Sequence, residues 1–525
     1  MVRVREAWAT RIGLILAVAG NAVGLGNFLR FPVQAASNGG GAFMIPYFIS
    51  FILLGIPLMW MEWTIGRYGG RYGHHSAPGM FAVIWRHPIA KYLGALGLFI
   101  SLTIMVYYTY IESWTLGYSI FSLLGLYFDN TTFESAKEFL LSYQGLKPDG
   151  PFSSVLVAYL FLLVTLGINF YVLSKGISGG IEKLARIAMP TLFVFAVLLA
   201  IRVLTIQTDP AIHKATVWEG LGFLWNPDLS ALSDPKVWLA AAGQIFFTLS
   251  LGMGTIHAYA SYLRPKDDIA LSGLTTASIN EFAEVVLGSS IAIPIAVVFF
   301  GVQATQEIAQ GGAFNLGFVS MSVIFSQIPF GEFFGFLWFG LLFFAGITSS
   351  VAMAQPVISF LEDEFRFSRG KAVAIIAVLT FICIQPVVFL LGHGFLDELD
   401  YWGGTFMLVV FALIETILFA FVLGVDKGYQ ELMRGADIHI PEWFKFVFKY
   451  ITPLFLIIIL GYWAITDAWR VLLLEGVSPD AIPYRWAARG LMVLFTIGIC
   501  WMVYRAWQYR KQMGLRDDVI EVPID

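Results

Sequence analysis

The chain has 525 residues, of which 58% are hydrophobic and 13% charged, with a net charge of −4. A typical soluble protein is ~45–50% apolar and ~25% charged, so a soluble enzyme, a nucleic-acid binder and a disordered scaffold are excluded together. The small net charge gives no reason to expect a polyanionic partner. An aromatic content of 16% suits a chain that crosses membrane–water interfaces many times.

Near the N-terminus, Arg3 and Arg5, the run Ile12–Leu16 and Ala17-Val18-Ala19 imitate a signal peptide. The apolar run is short and continues into more apolar sequence, so it reads as a retained first span. Breaking the chain at polar and Gly/Pro clusters predicts spans over 11–37, 41–66, 92–124, 154–173, 187–206, 237–262, 269–300, 333–361, 371–391, 401–424, 446–467 and 485–508. The fold class is therefore an all-α membrane protein with twelve transmembrane helices. Most of the 32 Lys and Arg fall in the alternate loops shared with the two ends, while Val302–Glu332 and Gly392–Asp400 contain neither. The positive-inside rule places both termini in the cytoplasm, as for a multi-pass protein of the cell's inner (plasma) membrane. Cys383 and Cys500 lie within apolar runs and read as packing residues.

Two spans make poor helices. The first contains Gly20-Asn21-Ala22-Val23-Gly24-Leu25-Gly26-Asn27, and the sixth contains Ser250-Leu251-Gly252-Met253-Gly254. Each interior Gly costs ~1 kcal/mol relative to Ala. Unpaired backbone at bilayer depth is tolerated only where it lines a cavity or is buried in protein. Close helix packing through Gly20 and Gly24 would give a similar pattern. Interruptions that open the first and sixth spans match two five-helix repeats of inverted topology, helices 1–5 and 6–10. Paired breaks of this kind point to a transporter's central site, a rule drawn partly from the family that this chain resembles. The chain then divides into 1–236, 237–424 and 425–525, the last holding helices 11–12 and the tail.

Asn21-Ala22-Val23-Gly24-Leu25-Gly26-Asn27-Phe28-Leu29-Arg30-Phe31-Pro32 resembles the first-helix motif of the neurotransmitter:sodium symporters. Gln244-Ile245-Phe246-Phe247-Thr248-Leu249-Ser250, Thr348-Ser349-Ser350 and Tyr107-Tyr108 extend the likeness nearly end to end, and it is nearest the family's bacterial leucine-transporting members. The resemblance implies two Na+ sites. One would use the Ala22 carbonyl, Asn27, Thr248 and Asn280, completed by the substrate carboxylate. The other would use the carbonyls of Gly20, Val23 and Ala345 with the hydroxyls of Thr348 and Ser349. Sodium wants five or six uncharged oxygens, and these groups supply them. Hydroxyls bonded back to their own helix would also account for Thr348-Ser349-Ser350.

The resemblance also implies an amino-acid substrate, held by Asn21, Ala22, Leu25, Gly26, Ile104, Tyr108, Phe247, Thr248, Ser250, Met253, Ser349 and Met353. Monoamine-transporting members of the family place Asp where this chain has Gly24, so the ligand is expected to bring its own carboxylate. Met253 and Met353 soften the apolar wall, which suits small to medium apolar side chains. Among the intramembrane acids Glu62, Glu112, Glu284 and Glu415, Glu284 looks like a fixed substitute for the chloride of chloride-dependent relatives. A protonated structural carboxyl is its other reading. Glu62 and Glu415 are expected to cap amides freed at the breaks. Arg30 and Asp400 resemble an external gate, and Arg5 and Asp363 an internal one.

The expected activity is sodium-coupled, chloride-independent symport by alternating access. A sodium-dependent sensor or a channel-like protein without concentrative transport is the alternative. An enzyme is not expected: Gly176-Ile177-Ser178-Gly179-Gly180 matches a nucleophile elbow, but no α/β pattern surrounds it. His74-His75 lacks zinc-site spacing. The expected partners are the amino acid, membrane lipid and a second copy of the chain.

Overall fold

A computed structural model describes residues 6–227 and 229–515, and the described residues form helices joined by turns, with no strand among them. Ten helices are long and apolar enough to cross a membrane. They are α2 (Gly41–Gly70), α3 (Ala90–Leu123), α4 (Leu156–Ser174), α5 (Ile177–Leu204), α7 (Ala270–Phe300), α8 (Gly331–Glu364), α9 (Arg369–Phe389), α10 (Phe395–Met433), α11 (Phe444–Thr466) and α12 (Ile482–Gln512). Two further spans expected from the sequence are broken helices. α1 consists of Arg11–Ala22 and Gly26–Ser37, bent by 45°, and α6 of Pro235–Thr248 and Thr255–Ala260. The interrupted helices thus stand first and sixth in chain order, with α11 and α12 last.

Burial sorts the helices into an inner and an outer set. The apolar window of α3 is 94% buried and that of α8 83%, against 33% for α4 and α5 and 28% for α12. Residues explain the division. α3 buries Ser101, Thr103, Thr109 and Ser113 alongside its apolar side chains, and α8 buries Thr348, Ser349 and Ser350. Such hydroxyls are costly facing hydrocarbon, and several bond to carbonyls of their own helix, as Thr109 does to Met105. α4 and α12 instead expose Leu160, Leu163, Val164, Val493 and Leu494, which is the surface a bilayer solvates without penalty. The connection over 302–332 carries two short helices, Val302–Gln310 and Met321–Gln327. Gly176–Gly180 forms the turn into α5, the irregular helical segment Ile177–Glu182, rather than a strand–turn–helix.

Each break has a local cause. In α6 the chain reverses its helical hand at Ser250 (φ 54°), Gly252 (φ 70°) and Gly254 (φ 77°). Positive φ suits glycine and is unusual for Ser. A Cβ on Gly252 would lie 2.4 Å from the Leu408 carbonyl oxygen, so α10 crosses α6 too closely for any side chain there. The breaks meet: Ser250 Oγ donates to the Asn21 carbonyl at 2.9 Å, and Asn21 Nδ2 donates to Thr255 Oγ1 at 3.0 Å.

Candidate ion and substrate site

The centre of the site is Asn27, which is fully buried. Its Oδ1 accepts the Gly24 N–H at 2.9 Å, and its Nδ2 lies 3.1 Å from Thr248 Oγ1, 2.8 Å from Asn280 Oδ1 and 3.0 Å from Glu284 Oε2. One side chain therefore joins the break of α1 to α6 and α7. Asn280 Oδ1 also faces the carbonyl oxygens of Thr248 at 3.1 Å and Ala22 at 3.2 Å. Oxygens turned toward one another repel unless the amide turns over or a cation lies among them. Ala22, Asn27, Thr248 and Asn280 are thus brought to one point, with the uncharged oxygens that suit sodium.

A second convergence lies where α1 meets α8. Ser349 Oγ is 3.3 Å from the Gly20 carbonyl oxygen, 3.1 Å from that of Asn21 and 3.1 Å from that of Ala345. Thr348 Oγ1 donates to the carbonyls of Phe344 at 3.0 Å and Ala345 at 3.2 Å. A Cβ on Gly20 would sit 3.0 Å from the Thr348 Cβ, so glycine is what lets the two helices touch. Val23 stands at the break itself, its N–H donating to the Ala19 carbonyl at 2.6 Å. Ser350 turns away from this group and bonds to Asn169 Oδ1 at 2.7 Å.

Beside both clusters the α1 break packs against α3, α6 and α8. Leu25 N–H donates to Tyr108 Oη at 3.0 Å. A Cβ on Gly24 would lie 2.8 Å from Ser349 Oγ and 2.9 Å from Tyr108 Oη, and one on Gly26 would lie 2.6 Å from the Phe247 ring. Glycine at 24 and 26 therefore lets α1 approach α3, α6 and α8 more closely than any side chain would allow. Leu25, Ile104, Met253 and Met353 are buried, and Ser101 Oγ fixes the Met253 carbonyl at 2.6 Å. Ser101 and Thr255 are contributors that sequence reasoning missed. Each is a small hydroxyl in an apolar run, and nothing in the sequence separates such residues from the packing hydroxyls around them.

Glu284 is fully buried. Its carboxylate receives Asn27 Nδ2 at 3.0 Å and Gln244 Nε2 at 2.8 Å, so two amides hold it against the Asn27 cluster. Glu112 is held by Asn169 Nδ2 at 3.0 and 3.2 Å. Glu62 accepts the Gly252 N–H at 2.7 Å, capping the α6 break. Glu415 caps no amide: its two carboxylate oxygens have no hydrogen-bond partner.

At the outer end the Arg30 guanidinium lies over the Phe247 ring, 4.4 Å from its centroid, and Asp400 accepts from Tyr107 Oη at 2.6 Å. No ion pair joins Arg30 to Asp400 among the described residues. Arg30 instead covers the aromatic ring that lies against Gly26, and Asp400 is tied to α3. At the inner end, Arg5 lies outside the described residues. Asp363 accepts the His75 N–H at 2.9 Å and faces His75 Nδ1 at 2.9 Å, while the His75 ring stacks on Tyr262 at 4.3 Å. The segment before α1 is fastened by Trp8 Nε1, which donates to the Tyr259 carbonyl at 3.0 Å, and by Arg11, 2.8 Å from Asp268 and 2.7 Å from Asp437. The hydrogen bond from Arg11 holds the Asp437 carboxyl below its ordinary range.

With this geometry in view, the comparisons decide the family. The family model described as "Sodium:neurotransmitter symporter family" matches residues 5–138 and 132–503. The chain belongs to the sodium:neurotransmitter symporter family. It is 33% identical over 460 residues to an uncharacterised sodium-dependent transporter of Methanocaldococcus jannaschii, covering 86% of this chain and 89% of that one. An uncharacterised sodium-dependent transporter of Haemophilus influenzae is 31% identical over 471 residues, covering 87% and 97% respectively. Among solved structures, that of MhsT in complex with L-phenylalanine superposes with a TM-score of 0.74 at 28% identity, covering 87% of this chain and 99% of MhsT. This symporter is accordingly a sodium-dependent transporter and not an enzyme.

Proposed function

We propose that this symporter uses the sodium gradient to import small to medium apolar amino acids, by alternating access and without chloride. The observation that carries the reading is the close packing around Gly24. With Ser349 Oγ and Tyr108 Oη each within 3 Å of where a Cβ would stand, there is no room for a side-chain acid of the protein's own. The Tyr108 hydroxyl, which accepts the Leu25 N–H at 3.0 Å, then remains to donate to a carboxylate brought by the ligand. The solved relative MhsT, which holds L-phenylalanine, supports the same substrate class.

Sodium would be held at two sites, by Ala22, Asn27, Thr248 and Asn280 with the substrate carboxylate, and by Gly20, Val23, Ala345, Thr348 and Ser349. Because the substrate completes the first site, each ligand raises the other's affinity by the same factor. Glu284 supplies the negative charge that a chloride would otherwise bring. Arg30 with Phe247, and Asp400 with Tyr107, would form the outer gate; Arg5 and Asp363 would serve the inner one. Single contacts of this kind are worth only about 0.5–1.5 kcal/mol and can break and reform in each cycle. The two repeats would occupy 1–236 and 237–424 of a plasma-membrane protein with both termini in the cytoplasm, able to form a homodimer.

The deciding experiment is uptake of a labelled amino-acid panel into proteoliposomes under inward sodium or potassium gradients. Accumulation of apolar amino acids above equilibrium with sodium alone is expected; equal uptake with either cation refutes sodium coupling, and mere equilibration indicates a channel. In the same assay Glu284→Ser is expected to acquire a chloride requirement. Chloride-indifferent transport by that variant would remove the role assigned to Glu284.

A further inference from the structure

Beside the α6 break lies a polar cluster that the ion and substrate site does not use. Glu62 of α2, His257 of α6 and Glu415 of α10 are each fully buried. Glu62 Oε2 stands 3.6 Å from His257 Nδ1, and His257 Nε2 stands 3.5 Å from Glu415 Oε2. Glu62 Oε2, both imidazole nitrogens and both Glu415 oxygens have no hydrogen-bond partner. The imidazole is flanked by Phe81 and Phe411, with ring centroids 6.3 and 6.1 Å away. Other ionisable groups on the surrounding helices are engaged elsewhere. Arg11 of α1 pairs with Asp268, Arg67 of α2 with Glu431, Tyr107 of α3 with Asp400, Glu112 with Asn169, and Asp363 and Glu364 of α8 with His75 and His74.

Two ionised carboxylates beside a neutral imidazole would leave two negative charges without a cation at membrane depth. Even one such charge costs ~2.5–3.5 kcal/mol on insertion scales. The cluster must therefore take up positive charge, either as protons or as a divalent metal. One atom from each of the three residues lies within 4.8 Å of the others, and the two carboxyls face each other closely enough to share a proton rather than both ionise. The ring turns a different nitrogen to each carboxylate. An imidazole placed in this way can accept a proton on one edge and donate one on the other.

We infer that Glu62, His257 and Glu415 form a proton-binding site whose occupancy is linked to sodium binding through the α6 break. The link is the Gly252 N–H. It is bound to Glu62 Oε1, and a hydrogen bond to a carboxylate is about twice as strong as one to a neutral acid. A proton taken up by Glu62 from water weakens that bond and loosens the break that follows Thr248. Sodium binding and proton release therefore favour each other, and sodium affinity rises with pH as Glu62 gives up its proton.

The test is 22Na+ binding to the purified full-length chain at about pH 5.5 and about pH 8. Wild type is expected to bind sodium about tenfold more weakly at the lower pH, within the usual span of linkage effects. His257→Gln is expected to reduce that ratio to below about twofold, with affinity at the higher pH within about threefold of wild type. Glu415→Gln should do the same and serves if the first variant does not fold. Glu284→Gln should keep the pH ratio. A wild type indifferent to pH, a ratio preserved in His257→Gln and Glu415→Gln, or a ratio lost only in Glu284→Gln overturns the proposal. So does about one equivalent of zinc in the purified protein, which would make the cluster a metal site.

Discussion

The break in α1 lies between Ala22 and Gly26 and contains no left-handed backbone, whereas that in α6 lies between Thr248 and Thr255 and holds three residues at positive φ. The freed Gly24 N–H of α1 is caught by Asn27 and by the Ala22 carbonyl, groups that also belong to the proposed sodium site. The freed Gly252 N–H of α6 is caught by Glu62 from another helix, and the Leu408 carbonyl presses on Gly252 from a third. One break is therefore shaped by groups that would bind the ion, and the other by its neighbours. Removing sodium should loosen the first far more than the second.

The sharpest way to break this contrast is Asn27→Ala. It leaves two or more buried polar groups unpaired at ~1–3 kcal/mol each, so 22Na+ affinity should fall at least about 100-fold. A loss below about fivefold would separate the α1 break from ion binding. Gly252→Ala is expected next in size. Its Cβ meets the Leu408 carbonyl and its φ is left-handed, so stability should drop by about 2 kcal/mol. The effect should appear as a lower melting temperature, with sodium affinity changed less than in Asn27→Ala. Ser250→Gly should matter least, because relief of the unusual φ offsets loss of the hydrogen bond to Asn21. A change within about 1 kcal/mol in the thermal melt is expected; a larger loss would show that this single bond, not the α2 and α10 contacts, holds the two breaks together.

Much of this arrangement was legible because the polar residues stood where an apolar chain should forbid them. Asn27 and Asn280 in predicted spans had to meet partners, and the structure joins them. Glu62 was expected at a freed amide and occurs there. Glu415 was assigned the same task from the same reasoning, yet it faces His257, because a carboxylate's position along one helix does not say what the crossing helix presents. Arg30 and Asp400 were expected as a pair, but each finds a nearer aromatic partner: Phe247 offers the guanidinium a ring face, and Tyr107 offers the carboxylate a hydroxyl.

The sequence by itself determined that the chain is a multi-span membrane protein and that its first and sixth predicted spans are interrupted, since these follow from composition and local backbone cost. Which groups share a site was decided only by tertiary structure. Glu62, His257 and Glu415 come from three helices far apart in the chain, and periodicity along one helix carries no information about the contacts between helices. Burial then gives that meeting its consequence: the same three side chains exposed to water would be ordinary, whereas enclosed together they must take up a positive charge.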